Sequence, residues 1–221
     1  MVFFMRLVNR MCVRFTGAPF VFLAVPNAVK TVKTSIRHGL RKPTTTSTRE
    51  GEKRVSRSKQ KGTTMETWTV RYLAWALQDT RIDRMSLHGT RDKGDLIGVM
   101  HHGHPVCVEV KDTKTPDYEA HWQEVETEMG NMDTEYGVLV QHRKGYAVKS
   151  LTGMGCQMAI MTPYMLDKFI EDLSATAQLV YTTCSQPLAH ARLVWIPLSM
   201  FALILNDLQP LGPDVVGEDH Q

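Results

Sequence analysis

At 221 residues the chain is long enough for one domain with a substantial core, or one domain with extensions. Hydrophobic residues make up 43% and charged residues 22%, which excludes a chain disordered throughout and points to a globular protein. The net charge of +3 does not by itself argue for a nucleic-acid partner, and its distribution is more informative. Residues 1–29 carry two apolar patches, 2–8 and 18–25, each shorter than the roughly 20 residues needed to span a bilayer. Arg6, Arg10 and Arg14 followed by APFVFLAV have the outline of a signal peptide. The four cysteines, Cys12, Cys107, Cys156 and Cys184, are widely spaced without a CxxC, which favours a reducing compartment and weighs against export. From residue 30 to residue 61 Lys and Arg recur against only Glu50 and Glu52, in a Thr- and Ser-rich stretch without periodicity. Residues 1–54 are therefore expected to be a disordered basic extension suited to a polyanion. Val55 is a candidate alternative start, which would leave a compact protein beginning VSRSKQKGT.

The folded part is expected to begin at Gly62, with Thr63 or Thr64 capping a helix through Glu66, Val70, Leu73, Ala74 and Leu77. Residues 70, 73, 74 and 77 follow helical spacing and form its buried stripe. Glu66 lies near the helix start, where a carboxylate suits the dipole. Residues 81–88 should be extended and lead into GTRDKGD. Arg91 and Lys93 bracket Asp92 there and are candidates for phosphate contacts, which position a nucleic acid without reading its sequence.

Next, GDLIGVMHHGHPVCVEVKD reads as two strands, 95–100 and 106–111, around a turn near Gly103. Symmetric pairing sets Asp95 opposite Lys111 and Ile97 opposite Glu109. Asp95, Glu109 and Lys111 then share one face, and Val106, Val108 and Val110 turn toward a core. An acid on one strand and Glu-x-Lys on the next is what a metal-dependent phosphodiesterase needs. Asp95 is preferred over its rival Asp92 because it opens the strand rather than lying in the turn. His101, His102 and His104 read as exposed turn histidines, with no acidic or Cys partner to make a metal site, and Cys107 reads as a small buried residue.

A second helix is expected from about 118 to 129, approached by Pro116 and ended by Gly130 and Asn131, with Trp122, Val125 and Met129 on its apolar side. Residues 136–141 form a buried strand, HRKG a turn, and 146–148 the start of another strand. Arg143 and Lys144 at that turn are candidates to extend a DNA-binding surface. Residues 157–161 are strand-like, and Thr162-Pro163 starts a helix with Leu166, Phe169, Ile170 and Leu173 on one face. A strand over 192–196 and a following helix repeat that style, the apolar stretch 193–205 reading as a buried helix or a dimer surface. The chain from Pro210 reads as a frayed tail.

Gly94-Asp95 followed by Glu109-Val110-Lys111 resembles the PD-(D/E)XK nuclease signature, without the Pro of the nominal motif. KGTTME at residues 61–66 and GTRDKGD at 89–95 extend the likeness to archaeal and phage-type Holliday-junction resolvases. It covers roughly residues 56–148. The resemblance implies a restriction-endonuclease-like α/β (α+β) core over residues 55–150, a mixed central sheet flanked by helices, with 151–209 packing on it. It implies Mg²⁺ (Mn²⁺ substituting) held by Asp95, Glu109 and the Val110 backbone carbonyl, with Glu66 completing the acidic shell. The metal would neutralise charge and activate water, and Lys111 would orient that water or stabilise the transition state. Gln123 falls where related nucleases often carry a polar residue near the site. The expected function is a cytoplasmic DNA endonuclease of phage or prokaryotic type, acting on four-way junctions as a homodimer and without a membrane partner. A restriction-type or repair nuclease, and a non-catalytic nucleic-acid-binding protein, are the alternatives.

Overall fold

The computed structural model describes residues 57–213 apart from 86–92 and 190. The basic extension and residues 214–221 thus lie outside the described residues. In chain order the elements are α1 (Arg57–Ala76), β1 (Asp83–Arg84), β2 (Leu96–Ile97), β3 (Met100–His101), β4 (His104–Lys111), α2 (Tyr118–Met132) and β5 (Tyr136–Gln141). Then come α3 (Leu151–Gly155), β6 (Met158–Met161), α4 (Pro163–Ile170), α5 (Ala175–Cys184), β7 (Gln186–Pro187), β8 (Val194–Pro197) and α6 (Leu198–Leu205).

β4 and β5 are buried over most of their length and lie inside a six-stranded mixed sheet, order β3-β4-β5-β6-β8-β7. They pair in parallel, Val106 opposite Tyr136 and Lys111 opposite Gln141, with α2 as the crossover; the other pairs are antiparallel. Pro187 sits on the edge strand β7, where its missing N–H costs no ladder bond. Among the described residues no helix is long and apolar enough to cross a membrane.

The alternation of β4 sorts its side chains by helix. Val106, Val108 and Val110 are buried in the apolar core together with Met65, Tyr72 and Leu73 of α1. On the other face the Cys107 thiol lies against Glu128 and the Lys111 ammonium against Glu124, both on α2. Asp117 caps α2 by accepting from the Ala120 N–H, and Asp133, at positive φ, closes it two residues past the expected Gly130-Asn131 stop.

Several expectations need correction. α1 begins at Arg57, so Thr63 and Thr64 are interior rather than caps. The Thr64 hydroxyl donates to the Gln60 carbonyl and the Thr67 hydroxyl to the Thr63 carbonyl. Its fully buried positions are Met65, Thr69, Tyr72, Leu73 and Ala76, while Val70, Ala74 and Leu77 are only partly covered. Residues 146–148 form no strand. The Tyr146 N–H turns back to the Arg143 carbonyl, and Ser150 caps α3, which leaves no span for a ladder. α5 was not anticipated: Ser174 caps it, and Ala177 and Tyr181, one turn apart, bury it. The apolar stretch 193–205 is core, because Leu198, Phe201, Ala202 and Ile204 are fully buried, so it supplies no dimer surface. The chain is held as far as Gly212, whose N–H donates to the Ala76 carbonyl at 3.0 Å, so fraying does not begin at Pro210.

The expected hairpin is also rearranged. β3 and β4 pair with Met100 opposite Pro105, and β2 turns away to pair with β1, setting Ile97 opposite Asp83 instead of Glu109. The break falls at Gly98, where φ is +79° and an added Cβ would stand 2.4 Å from the Arg81 carbonyl oxygen. Beyond it the Asp95 N–H donates to the Val108 carbonyl at 2.9 Å, so Asp95 does not face Lys111 across a ladder. Gly98→Ala combines a forbidden φ with a backbone collision and should cost about 2–3 kcal/mol. Urea unfolding would measure this; an unchanged midpoint would show that the segment yields without cost.

Candidate active site

The rearranged register still gathers the expected acids, by a different route. Asp95 stands beside the end of β4, where its Oδ2 accepts from the Val110 N–H at 2.8 Å. Its carboxyl also shares a hydrogen bond with that of Glu109. Glu109 is 6% exposed, and the Lys111 ammonium binds it from two residues along the same face. The ammonium bridges to Glu124 of α2, 2.6 Å away. Three of the four proposed catalytic groups therefore meet.

The fourth, Glu66 on α1, is near enough for its charge to act on Asp95, but its carboxylate is engaged by Arg84. The N–H and carbonyl of one strand residue point to the same strand edge. The Val110 carbonyl therefore lies on the edge that Asp95 occupies.

Burial raises the Asp95 carboxyl to about 8, with the Glu109 charge adding to it and the Val110 N–H opposing. Burial likewise raises Glu109 to about 7, against the pull of its bond to Lys111. Burial works against the Lys111 ammonium, yet the bonds to Glu109 and Glu124 outweigh it and leave its pKa raised. One proton is thus shared between two carboxyls that cannot cheaply ionise together.

That is the chemistry a divalent cation would replace. Among the described residues no group of three or more His, Cys, Asp or Glu side chains is arranged to hold a metal. Two carboxylates and one backbone carbonyl fit Mg²⁺, which keeps several waters and takes substrate phosphate oxygens.

The expected DNA contacts divide. Arg91 lies outside the described residues, as does Asp92, and Lys93 is exposed. Lys144 is exposed, while Arg143 lies over the rings of Tyr146 at 4.6 Å and Trp195 at 4.7 Å. Gln123 is exposed and makes no side-chain contact with the site; Glu124, its neighbour, does. Residue 123 sits roughly 200° around the helix from residue 121, whereas 121, 124, 125 and 128 share one face. With Val125 facing the sheet, that spacing could have pointed to Glu124. The histidine run is split as well. His101 is buried against Tyr136 and Phe169, and burial lowers it to about 4. His102 is exposed and bridges Asp172 and Asp207.

The carboxyl pair has a measurable consequence. Folded-state pKa values above those of the unfolded chain mean that, between about pH 4 and 8, the folded state holds protons the unfolded chain has released. Stability in chelator should fall as pH rises across that window. Asp95→Asn should flatten the fall and be the more stable protein at pH 8, by an order of a few kcal/mol. Urea midpoints at pH 5 and 8 decide it; equal slopes for both proteins would contradict the shared-proton geometry.

No protein-family model, curated protein or solved structure matches the chain.

Proposed function

We propose that the protein is a metal-dependent DNA endonuclease with a site of the PD-(D/E)XK kind. The observation that carries this reading is the Asp95–Glu109 carboxyl pair with Lys111 held beside it at the end of β4. The order of α1, the strands β2 to β4, α2 and β5 supports a restriction-endonuclease-like core, since it puts the acid and the Glu-x-Lys on adjacent segments before a parallel crossover. Asp95, Glu109 and the Val110 carbonyl would hold Mg²⁺, or Mn²⁺ in its place. When bound, the cation supplies Lewis-acid stabilisation of phosphate charge and a more acidic water.

The chain's own groups do the rest. Lys111, fixed between Glu109 and Glu124, is an ionised donor beside the acids, suited to orient the attacking water and to hold charge developing on the non-bridging phosphate oxygens. The water oxygen bonds to phosphorus as one ester P–O bond breaks, and the leaving oxygen takes up a proton. Fixing the ammonium at two carboxylates removes side-chain freedom that would otherwise be lost in the transition state. Glu66, engaged by Arg84, acts on the site through its charge.

As substrate we propose branched DNA, with the four-way junction first, cut by a homodimer that places two nicks symmetrically. The test is purified full-length protein with Mg²⁺ against junction, linear duplex, flap and single-stranded DNA. Paired nicks in the junction and poor cutting of duplex are expected. Glu109→Gln and Lys111→Ala should each lower the rate at least about 100-fold while DNA binding persists. Glu124→Gln should cost about tenfold, because Lys111 keeps its second carboxylate. Undiminished cleavage in EDTA, or by Asp95→Asn, would remove the assignment; equal rates on duplex and junction would remove the substrate class.

A further inference from the structure

At the C-terminal ends of β4 and β5 lies a groove of about 770 Å³. Its floor is tied directly to the site. Asp112 follows Lys111, His142 follows the paired Gln141, and the His142 N–H donates to the Lys111 carbonyl at 3.0 Å. Four cations line it from separate parts of the chain: Lys61 of α1, Lys114 ahead of α2, and Arg143 and Lys144 after β5. Among the described residues none of the four is paired with a carboxylate. Among the described residues the one carboxylate on the groove, Asp112, is bonded to the His142 Nδ1 at 2.9 Å.

Arg143 is the fixed member. Its guanidinium carbon lies over the rings of Tyr146 and Trp195, contacts that hold the side chain while leaving N–H groups for an acceptor. Converging cations without carboxylate partners repel one another and have no evident structural task. The groove begins at Asp112, three residues along the chain from Glu109, and a polyanion approaching the acids needs its charge offset nearby.

We infer that this groove binds the phosphodiester backbone of a DNA strand next to the acid pair, with Arg143 as its fixed phosphate contact. This deepens the nuclease reading, on which it rests, and adds Lys61 and Lys114 to the contacts. Four cations around a groove of this size suit about two or three successive phosphates rather than a single anion. Recognition would be of backbone, not of base sequence.

The experiment uses the full chain in chelator, so that binding is read without cleavage. A fluorescent oligonucleotide is titrated by anisotropy at several salt concentrations, with hydrogen exchange measured free and bound. Lys114→Glu with Lys144→Glu should weaken binding at least about tenfold and lower the salt slope by about 2. Lys149→Glu, exposed and outside the groove, should change little. Both groove substitutions are at exposed positions, and circular dichroism checks the fold. Bound DNA should protect residues 112–118 and 142–146, which distinguishes the groove from the basic extension. Native affinity and slope in the double variant, or no protection of those segments, overturns the proposal. Cleavage by native protein with an unprotected groove would sink the groove alone. Groove protection without any cleavage in Mg²⁺ would sink the nuclease reading alone.

Discussion

Burying the Asp95 and Glu109 carboxyls side by side raises the proton affinity of both, and most local features of the fold serve to hold that costly arrangement. The Val110 N–H binds Asp95 and favours its charged form, and Lys111 does the same for Glu109. These two partners offset only part of the penalty, so the pair retains a proton that a free carboxylate would release. In the nuclease reading, a divalent cation would take the place of that proton.

Holding the pair requires the backbone to depart from a simple hairpin. Gly98 lets the chain leave β4, pair β2 with β1, and return as β3, so that Asp95 reaches the Val110 N–H from outside the ladder. Pairing with β1 brings Arg84 to Glu66 and keeps a third carboxylate from adding its full charge to the pair. On the opposite flank α2 has two tasks. Trp122 and Val125 anchor it to the sheet, while Glu128 and Glu124, successively further round the helix from Val125, meet the polar face of β4. A helix stripe that carries both apolar anchors and carboxylates is unusual in a pure core helix, and here it follows from the mixed face it covers.

What the sequence made legible follows from how local each signal is. The strand 136–141 and the helix opened by Thr162-Pro163 are set by short-range chemistry, a short apolar run built on Val138, Leu139 and Val140 and an N-cap with Pro at N1. Both lie where expected. Glu109 and Lys111 lie on one face because residues two apart on a strand do so whatever the strand pairs with, while Asp95 reaches them from outside the ladder. Their pairing was not recognisable, because a positive-φ glycine can re-register a hairpin without changing its alternation. Thr63 and Thr64 misled because a Thr hydroxyl can bond backward within a helix as readily as cap its start. His101 was misread for a related reason: burial depends on what packs above a residue. For His101 that is Phe169, distant in sequence. Glu124 was missed by one position, although helical spacing from Val125 was available to find it.

Charge is segregated along the axis of the central strands, and the segregation has a mechanistic consequence. Lys111 belongs to the acids, neutralised by Glu109 and Glu124, and has little charge left to attract a distant polyanion. Asp112, the next residue, is held by His142 and so does not extend the negative region into the groove. Beyond it the field is set by cations without carboxylate partners, one of them fixed by aromatic rings. In the nuclease reading, attraction and chemistry therefore rest on different groups. The groove would hold backbone with or without metal and lose strength as salt screens it. The acid pair, by contrast, would need a bound divalent ion before it could accept a phosphate beside it. On that reading, cleavage would need metal and backbone binding would not, because the acids and the unpaired cations lie on different sides of that boundary.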